Sequence, residues 1–188
     1  MNQDLVIQTN RLLLYTVVPN EYEMLALDQA NSNLWVDRGF SDPDKRFLTN
    51  QNPIKYRLPK VRQNPEYAKY LLRVAVLKDN PIIIASAGFH NAPDNDGMIE
   101  IGFGVDKKFQ GNGYGQEILH GMWSWVVNDP LVKTLRYTVS PDNLISQHII
   151  KKLGFEYKGQ QIDEKDGPED IYELSAIDYK LRFQVISS

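Results

Sequence analysis

The chain has 188 residues, 42% of them hydrophobic and 24% charged. That is enough for one domain with its own core, and too ordinary a mix for disorder, collagen or coiled coil. Lys plus Arg number 21 against 24 Asp plus Glu, a net charge of -3, which argues against nucleic acid as a partner. Cysteine is absent, so disulfide frameworks, thiolate metal sites and cysteine nucleophiles are excluded. No apolar run approaches the roughly 18 residues of a membrane span, and Met1-Asn2-Gln3-Asp4 is not a signal-peptide start. A soluble, cytoplasmic protein with no membrane partner is expected.

Residues 5–17, rich in Leu, Val and Thr, read as an opening strand that ends at Pro19. Residues 20–30 fit a short helix. From Asp37 to Tyr67 the pattern breaks, with Pro43, Pro53, Pro59 and Pro65 punctuating a polar stretch that reads as irregular. Strands are predicted at 70–78, 82–89 and 97–105, linked by turns at Asp79-Asn80-Pro81 and Asp94-Asn95-Asp96-Gly97, as an antiparallel meander.

After Val105 the period lengthens to about 3.6. Tyr114, Ile118, Met122, Trp125 and Val126 then line one face of a helix over 113–128. A strand at 133–139 precedes Ser140-Pro141-Asp142, where a Ser cap and a Pro at the first helical position predict a helix start. That helix runs through Ile145, Ile149 and Leu153 to a left-handed cap at Gly154. Residues 155–162 and 170–176 close as a hairpin around Asp166-Gly167-Pro168. No repeat, low-complexity tract or dividing linker interrupts the chain, so residues 1–188 read as a single domain. The order of elements is that of an α/β (α+β-like) fold with a mixed sheet.

Two stretches carry candidate chemistry. Gln110-Gly111-Asn112-Gly113-Tyr114-Gly115 lies between a strand and a helix, where backbone N–H groups and the helix dipole can cradle an anion. A Walker loop would need Gly-Lys-Ser/Thr and finds Gly115-Gln116-Glu117. A dinucleotide fingerprint would need Gly at 116, which is Gln. The loop is therefore a plain tight turn or a pyrophosphate cradle of another kind. Just before it, the period of two puts Ile99, Ile101, Phe103 and Val105 on one face of a strand and Glu100, Gly102 and Gly104 on the other. Glycines inside a strand often mark a place where a ligand meets the backbone. Glu100 is thus either a solvated carboxylate or a general base.

These residues resemble the GNAT N-acetyltransferase family. Its pyrophosphate loop, Gln/Arg-x-x-Gly-x-Gly/Ala, is matched by Gln110, Gly113 and Gly115. Its second block, Asn-x-x-Ser/Ala and a short helix ending in Gly-Phe, is matched by Asn143, Ser146, Gly154 and Phe155. Thr9-Asn10-Arg11-Leu12-Leu13-Leu14 is similar to the opening of the branch that includes ribosomal-protein N-terminal acetyltransferases. The layout agrees over 5–176 and the motifs over 98–155.

The resemblance implies a mostly antiparallel central sheet flanked by helices, with a V-shaped splay between the strands at 98–105 and 133–139. It implies acetyl-coenzyme A as co-substrate, no metal, and a small-molecule or peptide amine as acceptor. Phe103 and Val105 would offer backbone to the pantetheine arm. Gln110, Gly111, Asn112, Gly113, Tyr114 and Gly115 would hold the pyrophosphate, and Asn143 and Ser146 would touch the cofactor from the second helix. The amine would attack the thioester directly in a ternary complex, with Glu100 as base, acting itself or through a water. The tyrosine many members carry seven residues after the Asn is Ile150 here, and Ser146 is the substitute expected to contact the sulfur. That departure leaves a second reading open, a regulatory module that holds coenzyme A without turning it over.

Other features have plainer expectations. His90, His120 and His148 show no metal spacing. Trp123, Trp125, Tyr137 and Phe155 read as core. Lys45, Arg46, Lys55, Arg57, Lys60 and Arg62 have no acid among them and form either a solvated loop, a clamp on an acidic acceptor, or a grip on a cofactor phosphate. Asp163, Glu164, Asp166, Glu169 and Asp170 read as a solvated hairpin tip or an attractor for cations.

Overall fold

The computed structural model describes residues 2, 4–27, 32–43, 53–164 and 167–183. The chain falls into two compact units, Met1–Ala92 with Phe103–Met122, and Pro93–Gly102 with Trp123–Ser188. The divisions fall inside one strand, β5 (Met98–Val105), and inside one helix, α5 (Tyr114–Val126).

The first unit opens with a hairpin, β1 (Val6–Gln8) and β2 (Leu12–Thr16). The predicted single strand over 5–17 is therefore folded back on itself at Thr9-Asn10-Arg11. The Thr9 hydroxyl accepts from the Leu12 amide at 3.0 Å and competes with continued extension. α1 (Pro19–Ala26) follows, started by Pro19 and by the Glu21 carboxylate reaching back 2.8 Å to the Val18 amide. The end of the helix predicted over 20–30 is not reached as expected, because α1 stops at Ala26. Ala30 lies outside the described residues.

The segment predicted to be irregular, Asp37 to Tyr67, begins at the end of α2 (Ser32–Asp37) and contains α3 (Ile54–Gln63) and a single turn at Pro65–Tyr67, after which α4 (Ala68–Leu71) follows. Its prolines mislead because Pro53 sits just outside α3, while Pro59 occupies an exposed position within it. β3 (Arg73–Leu77) and β4 (Ile83–Phe89) then extend the hairpin as an antiparallel meander. Register puts Leu13, Tyr15, Val74 and Val76 on one face, and there Val17, Tyr22, Leu25, Trp35, Leu58 and Val61 pack as core. Ile7 and Leu14 share the other face, against Gly121 of α5. Helices thus cover both faces of this half of the sheet. Arg73 is buried in it, with its guanidinium donating to the carbonyls of Leu14, Asp4 and Lys69.

In the second unit β5 pairs in parallel with β6 (Thr134–Val139), from Met98↔Thr134 to Ile101↔Tyr137. The registered ladder ends there, before the end of either strand. α6 (Leu144–Lys152) leads to β7 (Glu156–Asp163), β8 (Gly167–Ser175) and α7 (Ala176–Phe183), and β8 pairs antiparallel with both β6 and β7. Asp166 of the predicted hairpin turn lies outside the described residues. The fold is mixed α/β, with every registered strand pair antiparallel except β5–β6.

Period two sorts this unit cleanly. Ile99, Ile101, Leu135, Tyr137, Tyr172 and Leu174 are buried on one face, with Ile150, Leu153 and Phe155. Trp123 is fully buried, its ring 5.5 Å from that of Phe155, as the core reading expects. Trp125 is only partly buried.

The start of α6 corrects the sequence reading. Ser140-Pro141-Asp142 makes a turn, in which the Asn143 amide bonds the Ser140 carbonyl. The helix begins after it, capped by the Asn143 side chain, which accepts from the Ser146 amide at 3.1 Å. Of the residues the helix was read through, Ile145 is 77% exposed and Leu153 is buried, while Gln147 and Ile150 also point inward. Gly154, at φ 84°, closes the helix with the Phe155 amide on the Ile150 carbonyl and its own on Lys151, as the left-handed cap predicts.

Candidate functional site

The expected site residues divide between the units: Phe103, Val105 and 110–115 in the first, Glu100, Asn143 and Ser146 in the second. Each set has its own geometry.

In the first unit, the chain leaves β5, makes one turn at Lys107–Phe109, and reaches α5 through the glycine loop. Gly111 and Gly113 have φ of 77° and 78°, a region L side chains rarely enter. A Cβ on Gly111 would meet nothing within 4 Å, and one on Gly113 only Arg11 Nη2, at 3.6 Å. The loop surface is therefore open, and its shape comes from bonds beneath it. Gln110 Nε2 donates to the Val105 carbonyl at 2.9 Å. Asn112 Nδ2 donates to the carbonyls of Phe109 and Gln110 at 3.1 and 3.0 Å. Both side chains brace the loop from within.

Three further residues hold it, and sequence reasoning gave them no role. Glu117, in the first turn of α5, accepts from the Thr9 hydroxyl (2.6 Å), the Arg11 amide (2.7 Å) and Arg11 Nε (2.7 Å). Arg11 Nη1 donates to the Asn112 carbonyl at 3.0 Å, and the guanidinium lies 4.2 Å from the centre of the Tyr114 ring. Burial pushes the Glu117 carboxyl up, but the Thr9 hydroxyl, the Arg11 amide and the Arg11 guanidinium more than offset this and hold it below the usual carboxylate range. Thr9 and Arg11 were visible only as part of a motif. Nothing in spacing joins them to a glutamate 108 and 106 residues away.

In the second unit, Glu100 shares its face with Arg136, Thr138 and Glu173. Thr138 Oγ1 donates to Glu100 Oε1 at 2.6 Å, while Arg136 turns to Glu173, 2.6 Å away. The carboxylate opposite a cation in register is thus held by a neutral hydroxyl, with the cation paired elsewhere. On the opposite face the buried Tyr137 phenol is hydrogen-bonded to Ser146; burial raises its pKa and the Ser146 bond partly offsets this. Ile150 is fully buried. A side chain of that kind contributes about 1.5–3 kcal/mol by burial, so the position serves packing. Gln147 is the other inward residue, with Nε2 on the Pro141 carbonyl and Oε1 accepting from Tyr172 and Lys151, which fastens α6 to β8.

The charged clusters are mostly tied down. In α3, Arg62 is paired with Glu23 at 2.6 Å and Lys60 Nζ donates to the His90 carbonyl at 2.7 Å. Burial lowers the Arg57 pKa, and the nearby Tyr22 phenol works against that. Lys45 and Arg46 lie outside the described residues. Glu169 accepts from Gln161, and Asp170 from Gln160 and Gln147. Among the described residues no three His, Cys, Asp or Glu side chains cluster as a metal would require, and no helix is long and apolar enough to cross a membrane.

The parallel β5–β6 pair, the glycine loop that opens α5 and the Asn-capped α6 are the features that carry the family resemblance. A family model described as "Acetyltransferase (GNAT) domain" matches residues 11–156, and the chain belongs to that family. Among curated proteins, an uncharacterized N-acetyltransferase, YjdG of Bacillus subtilis (strain 168), is 38% identical over 82 residues. The match takes in 44% of this chain and 49% of YjdG, so it spans about half the length of that relative. Two solved structures share the fold. RimL, a ribosomal L7/L12 alpha-N-protein acetyltransferase in complex with coenzyme A, has a TM-score of 0.60 at 14% identity, covering 90% of this chain and 97% of its own. The aminoglycoside acetyltransferase AAC(6')-Ib in complex with coenzyme A has a TM-score of 0.60 at 20% identity, covering 92% and 99%.

Proposed function

We propose that the chain is an acetyl-coenzyme A-dependent N-acetyltransferase acting on a primary amine, at a protein N-terminus or on a small molecule. The observation that carries this reading is the loop at 110–115: open on its surface, left-handed at Gly111 and Gly113, and leading into α5. A Cβ at 113 would stand where an approaching phosphate needs backbone, so the residues present fit a pyrophosphate. The family match runs across both units, which supports residues 1–188 acting as one acetyltransferase domain. A cytoplasmic location goes with this reading.

Acetyl-coenzyme A supplies the activated thioester. Backbone N–H groups of 111–115 hold its pyrophosphate, shaped by Gln110 and Asn112 from below. Phe103 and Val105 offer backbone to the pantetheine arm. The Val105 carbonyl is already engaged by Gln110, which narrows that residue's part to its N–H. A backbone N–H in this stretch also stabilises the tetrahedral oxyanion, an effect worth about 3–4 kcal/mol.

Glu100, held by Thr138, takes the proton from the ammonium form of the acceptor, directly or through water. An α-amine with a pKa of about 7.7–8.0 needs this less than a lysine at about 10.4. Asn143 shapes the start of α6, and Ser146, bonded to Tyr137, contacts the sulfur. A thiolate with an acid pKa near about 8.5 leaves without strong proton donation, so Ile150 does not preclude turnover.

The test is thiol release from acetyl-coenzyme A with a panel of peptide and small-molecule amines, alongside calorimetric titration of coenzyme A. Amine-dependent release supports the enzyme. Binding without release from any amine favours the regulatory module, and absence of binding rejects both.

A further inference from the structure

We propose that Arg11 is a positioning residue for the coenzyme A pyrophosphate, which it serves by fixing the direction in which the Gly113 N–H points. The proposal rests on reading 110–115 as the pyrophosphate cradle.

The chain has only trans peptide bonds among its described residues, and in a trans peptide the C=O and N–H point to opposite sides. Arg11 Nη1 holds the Asn112 carbonyl at 3.0 Å. The Gly113 N–H belongs to that same peptide, so it is aimed away from Arg11. The next peptide is set separately, because the Gly113 carbonyl accepts from the Glu117 amide at 3.2 Å and opens α5. One peptide of the loop is thus oriented by the helix and its neighbour by a side chain.

That neighbour needs holding. Glycine tolerates positive and negative φ about equally, so the 112–113 peptide can turn over at little cost when nothing binds its carbonyl. A turned peptide would present a carbonyl oxygen where an anion expects a donor.

Arg11 is itself anchored. Its Nε and amide both reach Glu117, and its plane lies over Tyr114, the residue that begins α5. Glu117 is mostly buried and takes a further bond from Thr9. The guanidinium fork suits this double duty, since Nε and Nη1 diverge in one rigid plane toward a carboxylate and a carbonyl. A lysine ammonium in its place keeps the charge and cannot span both acceptors in that geometry.

The test uses Arg11→Lys and Arg11→Ala in the full chain, titrated with coenzyme A and with dephospho-coenzyme A at two salt concentrations. Melting temperatures and the amide NMR signal of Gly113 are recorded for each. Peptide orientation predicts that both variants lose about tenfold in affinity for both ligands, with Lys no better than Ala, and that the Gly113 amide signal shifts in the ligand-free variants. Wild-type affinity in Arg11→Lys that falls with salt would make Arg11 a simple charge and overturn the proposal. Loss confined to coenzyme A, with dephospho-coenzyme A unaffected, would make it a 3′-phosphate contact and also overturn it. A lowered melting temperature with unchanged affinity would reduce Arg11 to a structural brace. Wild-type protein that binds neither ligand would reject the cradle itself, a result separate from all of these.

Discussion

Thr138 Oγ1 donates a 2.6 Å hydrogen bond to Glu100 Oε1 across the parallel step of the sheet. The bond holds one carboxylate oxygen of the proposed base in place. Glu100→Gln is expected to lower kcat most at low pH, where free amine is scarce, with coenzyme A affinity nearly intact. Thr138→Val should lower kcat several-fold and Thr138→Ser should restore most of it, because serine returns the hydroxyl. A Glu100→Gln enzyme with the wild-type pH–rate profile would remove Glu100 as the base.

Gly113 has a φ of 78° and lies on the open side of the loop. Replacing it with valine adds backbone strain and places a branched side chain where the pyrophosphate is expected to come. Coenzyme A affinity should fall more than tenfold, with a smaller loss for Asn143→Ala, whose side chain caps α6. Calorimetric titration of the folded variants checks both. Unchanged affinity in Gly113→Val would sink the cradle.

Much of this site was legible because its signals are local. The glycine loop, Glu100 on the strand face it shares with Gly102 and Gly104, and the Asn143–Gly154 block are each local in sequence, and period and composition report on such stretches. What escaped was pairing across the fold. Arg11 and Thr9 meet Glu117 because β1 and β2 pack on α5, and no property of residues 9–11 announces that partner. Thr138 was hidden by a strand that reads simply as alternating. The helix start at 140 failed for a different reason. Ser140-Pro141 satisfies the cap pattern, yet Asn143, three residues on, satisfies it better and took the first turn.

Glu117 makes part of the stability pH-dependent, and the sign follows from its pKa. Its folded-state value lies below the ordinary 4.5, held there against burial by Thr9 and Arg11. A carboxyl lowered on folding contributes stability that is fully present above its unfolded value and is lost as pH falls through the folded one. Wild-type protein should therefore lose its advantage over Glu117→Gln as the buffer is taken from about pH 6 to about pH 3. Melting temperatures of the two proteins across that range measure it. A constant gap between them would show that the Glu117 contacts do not depend on its charge.

Gly121 sits inside α5, where glycine costs about 1 kcal/mol relative to alanine, so Gly121→Ala would ordinarily stabilise the helix. Here a Cβ would lie 2.8 Å from Thr9 Cγ2, 3.3 Å from Leu14 Cδ1 and 3.6 Å from Ile7 Cγ2. The Thr9 methyl cannot swing aside freely, because its hydroxyl is bonded to Glu117 at 2.6 Å and also holds the Leu12 amide. Overpacking of this kind costs about 1–3 kcal/mol, which outweighs the gain in helix propensity. Alanine at 121 is expected to lower the melting temperature by a few degrees, at roughly 2–4 °C per kcal/mol for a chain of this size. The double variant Thr9→Ser, Gly121→Ala, which removes the clashing methyl and keeps the hydroxyl, should recover most of that loss. A single variant more stable than wild type would mean that α5 can move off the β1–β2 hairpin at little cost, and that the close approach at Gly121 is not what seats the glycine loop's helix.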